Sequence, residues 1–555
     1  MRLWIIITLL LAIGCAAPQR PFPLRQPMWR DTDLASVSVK CRGDVCAPRM
    51  YVSPLYWDGV DNIVFRPLSE ALGVVTSGES VNVNSMDEVP DSSWFTNRLG
   101  KRPMSIDELR LGGCSRDQLL DPDSAPDGSW EIDQGKLEGS TGGFRVIVPG
   151  KGKYMIKLED KDDHPERQAA ASAIGTALFH AVGYNTVCEQ VLYIRPSILK
   201  LRAGLVARAN FSPERPFNQA RLDKLLAQST HAGELVRVSA SSWLGGYIIG
   251  PFRFEGTRDD DPNDVIPHEN RRELRAMRLL AAWLARYDAR EENSLDTWIA
   301  DDSKRPKSSP GHVMHYQLDV SEVLGGDWGS LGMDEMSKRL NTSYVVDWGD
   351  SAADFITLGA ISRPWDHRRA TPEHELFGYY DVASFDPEGW KSEYPNPAFS
   401  RMTERDGAWM ARILSRVTPE ALRSLVEIGR FSKASDGAYL AQVMEGRLER
   451  LLERYLTRLS PLGDVHIDGD RLCAVDLAEA RGVRPAASFH YAARVVDGPA
   501  LRVTHETGGA VCVELAHAKP YAIVEIADGV AKSPLLAHVY DRGGFVLAGI
   551  ERPSR

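Results

Sequence analysis

The chain has 555 residues, room for about two to four domains around a full hydrophobic core. Its net charge of −10 and the lack of any basic run argue against a nucleic-acid partner. Neither a repeat of fixed period nor a low-complexity tract beyond a short proline-rich stretch occurs, so solenoid and fibrous classes drop out.

Residues 1–15, "MRLWIIITLLLAIGC", begin with one Arg and continue as an apolar run too short to span a bilayer. That is the pattern of a signal peptide. "AIGC" resembles the bacterial lipobox, in which the cysteine is acylated and becomes the mature N-terminus, so Cys15 is the expected lipidation site. A secretory signal with an incidental cysteine is the competing reading. The polar, proline-containing stretch that follows reads as a tether over 16–50. Ala16 after the cysteine resembles the outer-membrane sorting pattern, which places the protein in the bacterial envelope, attached to the lipid membrane.

Without Cys15, the cysteines are 41, 46, 114, 188, 473 and 512, an even number in an exported chain. Cys41 and Cys46 enclose a small loop, "RGDV", and are expected to pair. Cys473 and Cys512 lie in strand-like runs and are expected to bridge two strands. Cys114 and Cys188 are read as free. No pair has C-x-x-C spacing, which removes the usual zinc site.

Residues 50–135 read as irregular. "FRVIVPGKGKYMIKLED" then predicts strand, glycine turn, strand, and "HPERQAAASAIGTALFHAVGY" a helix with Pro165 in its first turn and Gly183 at its end. "EQVLYIRP" and "GELVRVSASSWLGGYIIGPFRF" predict further strands. From 269 the pattern turns helical: "ENRRELRAMRLLAAWLARYD", "DGAWMARILSRVTPEALRSLVEIG" and "GAYLAQVMEGRLERLLERYLTRL" are read as helices. "TWIADD" and "GHVMHYQLDV" are two strands joined by a polar turn. Residues 462–555 alternate short strands with turns, as in a small β-sandwich.

A sheet-rich part followed by a helical part is the order of a protein-kinase-like fold, and the polar residues that chemistry needs occur in the right order. "LEGSTGGF" is a glycine-rich turn whose Gly139, Gly142 and Gly143 would present backbone N–H groups to phosphates. Lys157 lies on the next strand, and Glu166 opens the next helix as its expected ion-pair partner. Asp288 and Asn293 stand five apart directly after a helix. In that spacing the aspartate takes the proton of an attacking hydroxyl and the asparagine binds magnesium. Asp319, at the end of a strand, supplies the second metal ligand. It stands in "DVS", where kinases have D-F-G. Each feature taken singly also has a structural explanation: a turn, a solvated lysine, a helix-end carboxylate, a cap.

The stretches "VNVNSMDEVPDSSWFTNRLG", "RDDDPNDVIPHENRRELRAMRLLAAWLARYDAREENSLDTWI", "HYQLDV" and "WKSEYPNPAFSRMTERDGAWMARIL" resemble a group of uncharacterised bacterial exported lipoproteins. That group is similar in fold to HipA-type and CotH-type atypical kinases. The resemblance covers about residues 50–457 and in the group the strand ends in "IDFG". It implies that Lys157 contacts phosphates, Glu166 holds Lys157, Asp288 is the base, and Asn293 and Asp319 hold magnesium.

The expectation is thus an α+β chain with a two-lobed kinase-like core and a C-terminal β domain. Its divisions are a signal peptide (1–15), a tether (16–50), a sheet-rich N-lobe with an irregular extension (51–255), a helical C-lobe (256–459) and a β domain (460–555). The expected activity is transfer of a phosphoryl or nucleotidyl group from Mg-ATP to an unidentified protein or small-molecule acceptor. The alternative is a catalytically inactive pseudokinase serving as an envelope scaffold. "VPDSSWFTNR", with Trp94 and Arg98, reads as a packed turn and "DDDPND" as a solvated loop. No G-x-S-x-G or H-E-x-x-H motif occurs. His268, His312 and His315 are too dispersed to argue for a metal.

Overall fold

The computed structural model describes residues 31–75, 78–136, 142–162, 164–208, 215–325 and 334–554. Cys15, the signal peptide, much of the tether and Gly139 lie outside the described residues.

The chain is mixed α+β. Its first elements lie in the stretch that the sequence left irregular. Helix α1 (Leu55–Val60) runs through a π-helical turn, Asp61–Phe65, into α2 (Arg66–Ala71), and a short α3 (Ile106–Leu111) follows. Strands β1 (Trp130–Lys136), β2 (Gly143–Val148) and β3 (Gly152–Leu158) come next, then α4 (Arg167–Val182) and β4 (Glu189–Ile194). Helix α5 (Gln219–Gln228) and β5 (Leu235–Ser242) complete this part. The sheet runs β4-β5-β3-β2-β1, with four short strands adding to its edges. β2 and β3 form the expected hairpin, turning at Gly150 and Gly152, both at positive φ.

Alternation decides which way Lys157 points. Tyr154, Ile156 and Leu158 are buried in one core with Phe144, Val146, Val238 and Ala240. Lys157 therefore faces the other side of the sheet, where α4 packs. The alanines and Gly175 of α4 let it lie close: Ala169 and Ala173 meet Val191 of β4.

Residues Trp243–Gly246 lead from β5 into β6 (Tyr247–Gly250). Helix α6 (Arg272–Leu284) is buried along nearly its whole length, and β7 (Ser294–Ala300) and β8 (Gly311–Gln317) form the hairpin anticipated from "TWIADD" and "GHVMHYQLDV". Together β6, β7 and β8 make a three-stranded sheet. Helices α7 (Asp334–Arg339) and α8 (Trp348–Thr357) follow. The segment read as one helix from 406 is two, α9 (Glu404–Leu414) and α10 (Pro419–Glu427), because Thr418 caps a new helix with Pro419 in its first turn. Helix α11 (Ala434–Leu456) completes a core with α4, α6, α9 and α10.

The C-terminal region holds two antiparallel sheets. One contains β9 (Leu462–Asp468) and β10 (Arg471–Asp476), followed by the short α12 (Leu477–Ala480). Strands β11 (Ala492–Val495), β12 (Ala500–Leu501), β13 (Val503–Glu506) and β14 (Ala510–Glu514) follow. The last are β15 (Tyr521–Ala527), β16 (Leu535–Asp541) and β17 (Phe545–Glu551). The sheet orders are β9-β10-β14-β13 and β12-β11-β15-β16-β17, and both contribute to one hydrophobic core.

All six described cysteines pair. Cys41–Cys46 and Cys473–Cys512 are as expected, the latter joining directly opposed residues of β10 and β14. Cys114 and Cys188 are not free. They are bonded to each other with Cα atoms 4.3 Å apart, tying the segment after α3 to the entrance of β4. A separation of 74 residues hid this pair from the sequence.

The stretch 78–100 is a structural brace. Asp87 is buried among three arginines: Arg272 at 2.7 Å, Arg412 at 3.1 Å and Arg552 at 2.6 Å. Trp94 stacks on His315 with 3.4 Å between ring centres, and Arg98 donates to the carbonyl of His180 near the end of α4. "DDDPND" folds on itself, Asp264 accepting from His268 at 2.8 Å. Among the described residues, no group of His, Cys, Asp or Glu side chains is arranged to hold a metal on its own.

Candidate functional site

A cleft of about 280 Å³ lies between the five-stranded part of the first sheet and the elements that follow it. Met155 and Lys157 of β3, Val187, Trp243, Leu244, Ile248 and Leu295 line it, with Glu189, Glu292 and Asp319 among its polar groups. Larger hollows exist, one of about 650 Å³ between residues 84–101 and the C-terminal sheets. The smaller cleft is the one that joins a largely apolar lining to a cluster of charged side chains, the combination expected of a small-molecule site.

Lys157 Nζ donates to Asp319 Oδ1 at 2.7 Å. Burial alone would lower the lysine's pKa, but Asp319, Glu189 and Glu322 outweigh it and hold the ammonium above its ordinary value. For Asp319, burial would raise the pKa. Lys157 and the Ser321 hydroxyl, donating at 2.8 Å, bring it well below the usual carboxylate range. Asp319 is therefore ionised across the physiological range. Its φ of +44° is a left-handed conformation rare for a residue with a side chain, and Ser321, two positions on, holds the carboxylate in it.

The segment after Asp319 is fixed by α4. A Cβ on Gly175 would come within 2.7 Å of Val320 Cγ1, so glycine is what allows the helix to approach. Val320 and Val323 are buried there. The departure "DVS" thus comes with two local fittings: a small valine against a glycine, and a serine that bonds the aspartate.

Asp288 and Asn293 reach the same region by a loop braced on three sides. Helix α6 ends at Ala285 in a left-handed turn. Arg286 is buried and donates to Gln317 Oε1 at 3.0 Å and to the carbonyl of Leu318 at 3.0 Å, fastening the loop to the end of β8. The Leu318 N–H donates to the Asn293 carbonyl at 2.9 Å, placing Asn293 beside the Asp319 segment. From the other side Glu393 N–H donates to the Tyr287 carbonyl at 2.8 Å, and Asn396 Nδ2 to the Ala289 carbonyl at 3.1 Å. These contacts account for the "WKSEYPNPAF" stretch. Within the loop, Asn293 Nδ2 donates to the Asp288 carbonyl at 2.9 Å, and Arg290 Nε to Asp288 Oδ1 at 2.5 Å.

Of the five polar residues expected at a site, Lys157 and Asp319 meet directly, and the loop carrying Asp288 and Asn293 is fastened to the segment before Asp319 through the Asn293 carbonyl. Glu166 does not join them. It precedes α4 with φ +77°, and its carboxylate accepts from the backbone and hydroxyl of Ser432 at 2.9 and 3.1 Å. The carboxylates facing Lys157 are instead Glu189 of β4 and Glu322. Glu189 is half-buried, and desolvation raises its pKa against the lowering effect of Lys157 and of Ser241. Burial likewise raises Glu322, whose carboxylate accepts from Tyr287 Oη at 3.1 Å. The sequence carried a usable signal for Glu189, a lone acid at the head of a strand. Arg290 was also missed, although it is a base two positions after Asp288.

Gly143 has a structural reason to be glycine, whereas Gly142 is tight only against the tip of a flexible side chain. A Cβ on Gly143 would lie 2.4 Å from the Ile156 carbonyl, and one on Gly142 2.8 Å from Leu225. Gly139 falls outside the described residues.

The cleft fits a magnesium-nucleotide on donor chemistry. Magnesium keeps several waters and is commonly held by one or two carboxylates plus phosphate oxygens, not by an all-protein cage. One ionised carboxylate, Asp319, next to the point where the Asn293 carbonyl meets the Leu318 N–H, could be part of that kind of donor set, and Lys157 could supply a cation for phosphate. Compared with known proteins, the chain matches no described family, no curated protein and no solved structure.

Proposed function

We propose that the chain is a lipid-anchored, exported protein with a two-lobed kinase-like core that transfers a phosphoryl group from Mg-ATP to an acceptor hydroxyl. The observation that carries the reading is the 2.7 Å pair between Lys157 and Asp319, residues 162 positions apart that meet in a cleft between sheet and helices. The strand order β4-β5-β3-β2-β1, with a helix between β3 and β4 and a short linker after β5, supports it. So does a helix-delivered Asp288/Asn293 loop beside the Asp319 segment.

In this reading Lys157 binds phosphate oxygens, oriented by Glu189. Asp319 and Asn293 hold the magnesium, which would neutralise phosphate charge. Asp288 orients the acceptor hydroxyl and takes its proton, while Arg290 leaves Asp288 to meet the transferred group. The apolar residues Met155, Trp243, Leu244 and Leu295 offer flat contact for a base. The two C-terminal sheets serve as an appended β-sandwich.

One observation favours a second reading, a nucleotide-binding scaffold without transfer: Asp288 is already bonded to Arg290 at 2.5 Å. Transfer of label from γ-labelled ATP separates the two. Transfer to protein or water that is lost in Asp288→Asn, with nucleotide binding retained, supports the enzyme. Binding with no transfer under any acceptor mixture supports the scaffold.

A further inference from the structure

The most exposed large apolar residues are concentrated on two neighbouring segments, not scattered. On α1, α2 and the turn between them, Tyr56 is 89% exposed, Trp57 59% and Leu72 68%. On α8 and its end, Phe355 is 83% exposed, Ile356 78% and Leu358 92%. Helices α2 and α8 pack against each other, so the two exposed apolar segments are neighbours. Their acidic groups are largely neutralised: Asp61 pairs with Arg66 at 2.6 Å, and Asp350 and Asp354 both pair with Arg363.

The position of these segments relative to the proposed anchor says what covers them. Asp31, the first described residue, is bound to Arg271 at 2.7 Å. Gly78, just beyond α2, is bound through its carbonyl to Arg275 at 2.5 Å. Those two arginines are one helical turn apart, about 6 Å along the axis. The tether and the apolar segment therefore leave the same end of α6. Residues 16–30 span at most about 50 Å when fully extended, whereas a globule of this size is about 60 Å across. A chain held at Cys15 therefore keeps its surface within about 50 Å of the bilayer, and an apolar face on the segment that leaves the same end of α6 as the tether is within reach of it.

We propose that the face formed by α1, α2 and α8 rests in the headgroup region of the lipid bilayer, as a second membrane contact beside the acylated Cys15. Tyr56, Trp57 and Trp348 are the residue types favoured at that depth. Among the described residues no helix is long and apolar enough to cross a membrane, so the contact is a surface one. The face is apolar and not basic, and the chain is acidic, so binding requires no anionic lipid. The orientation also presents the Asp288 loop to the membrane side: Arg66 of α2 lies 3.8 Å from Glu291 of that loop. The proposal rests on the lipid-anchor reading, and the two are tested separately.

The full mature chain is reconstituted into zwitterionic phosphatidylcholine vesicles, with and without brominated acyl chains, and tryptophan fluorescence is recorded. The mass of the N-terminal peptide reads the anchor independently. Quenching by the brominated lipid is expected, unchanged by 0.5 M salt (roughly a 4 Å Debye length) and by added phosphatidylglycerol. In Trp57→Phe/Trp348→Phe most of the quenching is expected to disappear, leaving only the part due to Trp29 in the tether. Equal quenching in parent and double variant, or none in either while the N-terminal mass shows acylation, overturns the face contact but leaves the anchor. Concentration-dependent self-association in place of quenching assigns the face to a second copy and also overturns it. An unacylated N-terminus removes the anchor reading and, with it, the reason for this orientation.

Discussion

Glu189 and Glu166 are both glutamates near the lysine in sequence, yet only one faces it. Glu166 lies nine positions from Lys157, but its left-handed backbone turns the carboxylate to Ser432. Glu189 is 32 positions away and sits two strands over on the same sheet face, because Met155, Ser241 and Glu189 are register partners. Glu189→Gln is expected to weaken Mg-ATP binding about tenfold, or about 1.4 kcal/mol, and Glu166→Gln by less than about twofold; isothermal titration of both variants decides. The face of Lys157 was readable in principle from the alternation of Tyr154, Ile156 and Leu158. Apolar Met155 on the opposite face blurred it.

Glu393 belongs to the same scale. Burial, only partly offset by Arg290, raises its pKa to about 7. Glu291, in the Asp288 loop, is likewise raised to about 7 by burial. A carboxyl whose folded pKa lies above its unfolded one binds more protons when folded, so stability falls as pH rises between the two values. The chain is expected to lose stability between about pH 4.5 and 7. Glu393→Gln should remove part of that loss, of the order of 2 kcal/mol. Urea unfolding at pH 5 and pH 7.5 measures it, and equal slopes in parent and variant would count against the environment described.

At the scale of elements, much was legible where periodicity was strong. The β2–β3 hairpin, α4, β4, the β7–β8 hairpin and α11 follow their apolar patterns. The α1–α2 segment did not show because "LYWDGVDNIVFRPLSEA" carries Gly59 and Pro67 and its apolar residues face outward. The contact between α4 and the Asp319 segment is a second feature that no local pattern records. Replacing a helical glycine by alanine ordinarily gains about 1 kcal/mol. At Gly175 the new methyl meets Val320, so Gly175→Ala is expected to destabilise by about 1 kcal/mol or more. It should also weaken Mg-ATP binding through Asp319, and Val320→Ala in the same chain should relieve the clash. An additive double-mutant cycle would argue against this coupling.

Over the whole molecule, long-range ties join regions that composition treats separately. The ions around Asp87 come from α6, α9 and the segment after β17, and no spacing in the sequence brings Asp87, Arg272, Arg412 and Arg552 together. The Cys114–Cys188 bond is similar: its 74-residue loop makes it worth about 4 kcal/mol in chain entropy. Cys114→Ala/Cys188→Ala is expected to lower the urea midpoint accordingly. An unchanged midpoint would mean that the bond constrains little.

The meeting of Lys157 with Asp319, and the fastening of the Asp288–Asn293 loop to the segment before Asp319, were legible as an order of residue types, not as a geometry. Thermal melting with and without Mg-ATP tests the magnesium-nucleotide reading of this cleft most directly. At about a hundred times the dissociation constant, bound nucleotide stabilises a fold by about 2.7 kcal/mol. A rise in Tm that needs magnesium, is lost in Asp319→Ala and persists in Asp288→Asn is expected. No rise with any nucleotide, or an equal rise in Asp319→Ala, would contradict that reading.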